Sequence, residues 1–419
     1  MTRTDSSLRL AGALALTTAT ILVAAGCASA EPDAGEDLDF TFSFPSTENS
    51  PYEAIAQSYM DANPDITVTF NPVPAESYDT VLRTQLQAGN AADLIMAVPG
   101  SGSPIALLSL ADADLLAPLY DSNNDLIPES SRALFYSGDE LWGQPTDISV
   151  TGTVFNSSVG VDYPQDTTAL MEACGSLEEG SSFFALAGSI PINAGLAAVS
   201  IAATNVYAED PDWDSERARG EVAFASTPGW RDTLELIVDM DAAGCLQPGA
   251  AGAGVDALVQ GLGGGTSLAA FIPGGVATEM AAGMGGKKLV VQSFPAAEGA
   301  DSFIFASPDY ALAISESSES KKGAQAFLDW FAEPENAAAY AKLAGSLPIT
   351  GVEGLDLADT PYAPVAQLIA DEQFVSFPVT VWTNQNVFLT LGTGVQGLLT
   401  GQQTVDGLLE ALDAAWDGQ

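Results

Sequence analysis

The sequence predicts an α/β fold in which helices cover a parallel sheet, built as two domains. Three observations predict it. Between residues 38 and 98, strand-like and helix-like segments alternate, which is the pattern of a helix-covered parallel sheet. The chain beyond residue 37 holds roughly 380 residues, more than the ~250–300 at which one core stops growing. Further strand-like runs recur in the middle and near the end, as two domains require.

The first strand is Leu38 to Phe44, apolar and polar in alternation. A helix follows, with Ser50 as cap, Pro51 at its first position and Glu53 completing a capping box. Its apolar stripe is Tyr52, Ile55, Ala56, Tyr59 and Met60, and Asn63-Pro64 stops it. Ile66 to Phe70 reads as a second strand. Tyr78, Val81, Leu82 and Leu86 mark a second helix, ended by Gly89-Asn90. Asp93 to Val98 is a third, mostly apolar strand that runs into Pro99-Gly100-Ser101-Gly102. Ligands of such sheets bind beyond the carboxyl ends of the strands, which directs attention to Phe44–Asn49 and Pro99–Ser103.

Later elements are less regular. Ile148 to Phe155 is a β-rich run, Phe183 to Ala187 a short apolar one, and Trp230 to Met240 a helix. Gly249 to Gly265 is so rich in glycine that a loop is expected. Leu268 to Ile272 reads as a strand ending at Pro273-Gly274-Gly275, and Tyr310 to Ile314 as another. Helices are expected at Lys321–Ala332 and Pro334–Leu343. The last helix is capped by Thr404, with Val405, Leu408, Leu409, Leu412 and Trp416 on one face.

The N-terminus carries an export signal. Arg3 and Arg9 flank an apolar run from Leu10 to Ala25, too short to span a bilayer. Ala25-Gly26-Cys27 resembles a bacterial lipobox, which implies cleavage before Cys27 and a lipid on its sulfur. Residues 1–26 are then the lipoprotein signal peptide and 27–37 a polar tether, placing the protein at the outer face of the cell membrane. Cys174 and Cys245 remain as a candidate disulfide for an oxidising compartment.

Charge narrows the partners. With 12 basic and 55 acidic residues the formal net charge is −43, which disfavours nucleic acid and anionic ligands alike. A neutral or cationic small solute fits better. Such acidity also suits a saline habitat. No histidine is present, so histidine-based nucleophile pairs and metal sites are excluded. Asp210, Asp212, Asp214, Glu216 and Glu221 match several positions of a calcium loop, but Ser215 stands where that loop needs glycine. They read as a solvated acidic loop, and neither metal nor cofactor is expected.

Four stretches, in this order, resemble the family 1 extracellular solute-binding proteins. They are Tyr52 to Ala97; Leu141-Trp142-Gly143-Gln144-Pro145 to Asn156; Phe294 to Ile314 with Ala324–Leu328 and Gly345–Pro348; and Gly401 to Val405. The resemblance implies a two-lobed periplasmic-binding-protein-like fold of type II kind, with crossing hinge strands that let the lobes close on a solute. It places 38–148 plus 273–345 in the first lobe and 149–272 plus 346–419 in the second. It also implies a monomeric, non-enzymatic receptor that hands a mono- or oligosaccharide to the permease subunits of an ABC importer.

By position within that resemblance, the cleft residues are Phe44, Ser46, Glu48, Pro99, Gly100, Trp142, Asp147, Asn193, Phe271, Gly274, Trp382 and Asn384. Trp382 is the expected stacking platform, and Glu48 and Asp147 the expected acceptors for hydroxyls or a cation. Two positions depart from sugar binders. Ala97-Val98-Pro99-Gly100 and the Gly275-Val276 step lack the aromatic residues often found there, which leaves room for a smaller sugar, a polyol or a polyamine. The competing class is an exported glycoside hydrolase working with paired carboxylates.

Overall fold

In a computed structural model, described for residues 38–46, 50–120, 127, 129–350, 355–382 and 385–418, the alternation after residue 38 becomes a six-stranded sheet. Its strands are β1 (Phe40–Ser46), β2 (Val68–Pro74), β3 (Leu94–Ala97), β4 (Leu116–Ala117), β7 (Gln144–Pro145) and β14 (Ala311–Ser315). β1 runs parallel to β2 and β3, whereas β14 is antiparallel to β3, β4 and β7. Phe40, Phe42 and Phe44 alternate along β1, and all three are buried. Phe40 and Phe42 pack on Phe327 of the helix Lys321–Phe331. Burying each such ring contributes about 1.5–3 kcal/mol. β2 runs later than expected and includes Pro72 and Pro74, which its place at the sheet edge tolerates. Beside this sheet, β5 (Tyr136–Ser137) and β6 (Glu140–Leu141) pair as a short hairpin.

The run from Ile148 to Phe155 is two strands, parted at Gly152. β8 (Asp147–Thr151) joins a third-sheet group with β13 (Ile304–Pro308), β15 (Leu347–Pro348) and β16 (Phe374–Val375). β9 (Thr153–Asn156) joins β10 (Ser182–Ala185), β11 (Ser267–Ala270) and β12 (Leu289–Gln292) in another sheet. One continuous run thus feeds two sheets.

Two stretches bear on expectations from the sequence. The resemblance returned the chain to the first lobe at residue 273, but β12 pairs with β9 along Leu289–Gln292. Its apolar residues find their partners there, and the chain re-enters the first sheet only at β14. The glycine-rich stretch expected as a loop contains the helix Val255–Gly264. Leu258, Gly261 and Leu262 are buried on its inner face. A Cβ on Gly261 would stand 2.7 Å from Ser267 Oγ and 3.2 Å from Ala185 Cβ, so the missing side chain lets the helix lie on β10 and β11. Close packing offsets the entropic cost of helical glycine.

Two large cores follow from these sheets. One gathers Phe42, Phe44, Tyr52, Leu94, Leu312, Phe327 and Tyr340 around the first sheet. The other surrounds the β9–β12 sheet and includes Phe184, Trp213, Trp230, Trp382 and Trp416. The helices Gln385–Leu399 and Val405–Trp416 pack on the second, and Thr404 caps the latter by accepting from Gly407 N. By contrast, Ser50 makes no side-chain cap bond at the helix Pro51–Ala62. Cys174 and Cys245 are joined by a disulfide with 4.8 Å between Cα atoms. Cys27, Glu48 and Asn384 lie outside the described residues. Among the described residues, no helix is long and apolar enough to cross a membrane.

Candidate functional site

The site is built on the strand pair β8–β13. These strands run antiparallel, with Ile148 opposite Pro308 and Ser149 opposite Ser307. One step further along the same register sets Asp147 opposite Asp309. Because side chains alternate along a strand, Asp147, Ser149 and Thr151 share one face of β8. They line a cavity of about 700 Å³ together with Ser307 and Asp309. The cavity lies within the range typical of small-molecule sites. Pro45 and Met96 bring the carboxyl ends of β1 and β3 to its wall, where a parallel sheet is expected to place a ligand.

Its aromatic walls come from four separate elements. Tyr52 projects from the helix Pro51–Ala62 and Tyr340 from the helix Pro334–Ala344, their rings 5.6 Å apart. Tyr310 follows β13, and Phe377 precedes the short helix Pro378–Val381. Tyr52 Oη is buried without a hydrogen bond; the Tyr340 hydroxyl influences it without closing one. Tyr310 is 37% exposed, and Leu343 and Val276 are exposed apolar residues on the same cavity.

Hydrogen bonds hold the Asp147 carboxyl and the backbone beside it. Thr146 Oγ1 donates to Asp147 Oδ1 at 2.5 Å, and Thr146 N donates to Tyr310 O at 3.0 Å. Burial raises the Asp147 carboxyl above its ordinary value, against the opposing pull of hydrogen bonds from Ser346 and Thr146. The Asp309 carboxyl is pushed up to about 7, first by withdrawal from bulk water and then by the charge of Asp147. The hydroxyls of Tyr52, Tyr340 and Tyr362 are raised mainly by burial, and that of Tyr310 mainly by Asp309, so all four stay neutral donors.

Of the residues the sequence singled out, Asp147 lines the cavity. Ser46 is exposed at the end of β1, next to Pro45. Gly274 opens the helix Gly274–Gly283 between the cavity residues Pro273 and Gly275, packed beside Tyr362. Four of the expected aromatic and amide side chains are buried in contacts within the fold. Phe44 is fully buried and stacks behind Tyr52, 5.7 Å between ring centroids. Asn193 accepts from Ala187 N and donates to Phe271 O, tying a helix start to the neighbouring chain. Phe271 stacks on Phe184 within the second core. Trp382, expected as the stacking platform, is 2% exposed among Phe224, Trp230, Phe388 and Trp416.

Trp142 is half-buried against the first core and Pro99 is buried, and neither lines the cavity. Gly100 has φ +80°, and a Cβ there would meet Thr380 O at 2.5 Å. Glycine is therefore needed for both the backbone and the close approach to a cavity residue. The acidic loop is also not simply solvated. Asp214 Oδ1 accepts from Tyr207 Oη at 2.8 Å and from Trp382 Nε1 at 2.9 Å, and burial pushes its carboxyl up to about 7. No group of three or more acids or cysteines able to hold a metal occurs among the described residues.

A second cavity, about 740 Å³, opens between the helices Gln385–Leu399 and Val405–Trp416, and no titratable side chain lines it. The β8–β13 cavity, with its acids and rings, is the one equipped to recognise a polar solute.

Comparisons with known proteins bear on the site from outside. No curated protein sequence matches the chain. Among solved structures, one similar to it is RafE in complex with raffinose, at 20% identity and TM-score 0.73, covering 91% of this chain and 99% of that one. Another is the GacH receptor of Streptomyces glaucescens, solved unliganded and with acarbose, at 16% identity and TM-score 0.69, covering 91% and 97%. A third is a family 1 extracellular solute-binding protein from Bifidobacterium longum subsp. infantis, at 17% identity and TM-score 0.70, covering 91% and 99%. These likenesses establish the two-lobed fold. The sequence profile of the bacterial extracellular solute-binding proteins matches residues 45–338, well over half the chain, and the chain belongs to that family.

Proposed function

We propose that this protein is a receptor for a mono- or oligosaccharide, delivering it to an ABC importer without altering it. The observation that carries the reading is the cavity on β8–β13, where tyrosine and phenylalanine rings stand beside carboxylates and serine hydroxyls. Sugars offer apolar ring faces to aromatic residues and hydroxyls to acids, so this mixture suits them. RafE with raffinose and GacH with acarbose are folded alike, which supports the reading. Asp147, Asp309 and Ser346 would accept or exchange hydrogen bonds with hydroxyls, and Tyr310 would supply the exposed ring face.

In this reading the first sheet belongs to one lobe and the β9–β12 sheet to the other. The β8–β13 sheet between them is the hinge across which the lobes close. Residues 1–26 would be removed on export, and 27–37 would tether the receptor to a lipid on Cys27. The receptor would act as a monomer at the outer membrane face, close to its permease, so that captured solute stays at high local concentration.

The test is calorimetric titration of neutral mono- and disaccharides, followed by recovery of the bound sugar. At least one should bind and return intact. Binding confined to amino acids or other non-sugars would overturn the saccharide assignment. A cleaved product would instead point to the hydrolase that the carboxylate pair also brings to mind. Mass spectrometry of the native protein should find a diacylglycerol on Cys27; an unmodified N-terminus there would overturn the anchor.

A further inference from the structure

The cavity holds negative charge with nothing positive to meet it. Asp309, one residue past β13, stands opposite Asp147 of β8, with its N donating to Asp147 O at 3.4 Å, and like charges so placed repel. The chain beyond the tether has ten basic residues, the 12 in total less Arg3 and Arg9. None of the ten lines the cavity. Nor is any basic residue found in the internal stretches outside the described residues, such as 47–49 or 383–384. Asp147 is buried and Asp309 beside it is exposed, and among the described residues neither is paired with a basic side chain, which a buried charge ordinarily has.

Three further features favour a cation as that partner. The faces of Tyr310, Tyr52, Tyr340 and Phe377 border the same space, and aromatic faces attract cations. Tyr52, 7% exposed, lines the same wall, and its enclosed Oη has no hydrogen bond of ordinary geometry within the protein. The whole chain, at a formal charge of −43, attracts cations and repels anions at long range.

We infer that the solute is an amino sugar or another hydroxylated molecule bearing a protonated amine, with the amine seated between Asp147 and Asp309. The inference rests on the saccharide reading above and narrows it. Rings and serine hydroxyls grip the apolar and hydroxyl faces, while the acid pair selects the charge. Uronic acids and sugar phosphates are rejected by the same pair.

The experiment compares matched ligands by calorimetry at pH 7. Glucose, galactose, mannose and cellobiose are each titrated beside their 2-amino-2-deoxy counterparts and the N-acetylated forms of those. The expected result is an amine form that binds about tenfold more tightly than its hydroxyl counterpart, a difference an ion pair in a recessed site readily supplies. N-acetylation, which removes the charge, should abolish the preference. In Asp309→Asn, with its fold checked by circular dichroism, the ratio of amine to hydroxyl affinity should fall toward one. Equal or tighter binding of the hydroxyl forms overturns the inference and leaves the saccharide receptor standing. An unchanged ratio in Asp309→Asn overturns the seat assigned to the amine. Binding by no member of any series removes the saccharide reading and this inference together.

Discussion

Tyr310 and Asp214 show how much a single position decides. Tyr310 is 37% exposed on the cavity and buries little, so its ring can serve a ligand at small cost to the fold. Tyr310→Ala should weaken sugar binding by about 1–3 kcal/mol, five- to 150-fold in Kd, while the melting temperature changes little; titration calorimetry beside a thermal melt checks both. Asp214 acts on stability instead. Its folded carboxyl titrates near 7 against 3.8 unfolded, so between pH 4 and 7 the folded state keeps a proton the unfolded state releases. Stability from this group is therefore present at low pH and lost as pH rises through 7, by up to about 1.4 kcal/mol per pH unit. Asp214→Asn keeps an acceptor for Trp382 Nε1 and should flatten the fall in melting temperature between pH 5 and 8. A profile identical to the parent would show that Asp214 is ionised throughout. These two residues also mark what the sequence could disclose. Asp147 was named by its position within the family resemblance, and it lines the cavity. Tyr52 was visible only as one of a helix's apolar stripe, Tyr310 only as the first residue of a strand, and Asp309 not at all, because which side chains meet is decided by sheets that pair residues far apart in sequence, as Ile148 with Pro308. Trp382 misled for a related reason: a large ring near the expected cleft reads alike whether it faces solvent or, as here, fills a core.

At the scale of elements, legibility followed local regularity. β1, β3, the helix Pro51–Ala62 and the Thr404-capped helix were plain from local sequence, since β1 and the two helices follow a regular apolar period and β3 is an unbroken apolar run. The division of residues 147–156 into two sheets was not, because both halves are equally strand-like and only their partners differ. The helix Val255–Gly264 was hidden by its glycines, whose low propensity is overridden by contact with β10 and β11. The disulfide is another long-range tie. It links the helix Thr167–Gly175 to the segment after Pro228–Ala242, across a sequence separation of 71. Closing a loop of that length restricts the unfolded chain by about 4 kcal/mol in the chain-entropy account, and measured losses run about 2–5. Replacing both cysteines by serine should lower the denaturant midpoint accordingly, with the m-value little changed. Because both cysteines sit in the second core, away from the cavity, sugar affinity should persist in the variant. Loss of binding at full folding would show that this core sets the cavity's shape.

Across the whole molecule, the same excess of acid that shapes the cavity burdens the fold. The chain has 55 acidic and 12 basic residues, and the ion pairs among the described residues are mostly exposed, such as Arg219–Glu221 and Arg231–Asp406. Exposed pairs are each worth about 0–1 kcal/mol, and salt screens them. Arg217 is the exception: it is buried, reaches Asp413 and Asp417, and lies over the Trp416 ring. The few pairs therefore cannot balance the repulsion among unpaired carboxylates, which opposes the compact state. Salt weakens that repulsion more than it weakens the pairs, so stability should rise with ionic strength. Between 20 mM and 500 mM sodium chloride the melting temperature should increase by several degrees, most steeply at low salt, where the screening length shrinks fastest. The amine selectivity of the cavity should run the other way, its on-rate falling over the same range as long-range attraction is screened. A melting temperature that fell with salt would mean that attractive pairs, and not carboxylate repulsion, dominate the electrostatics of this fold.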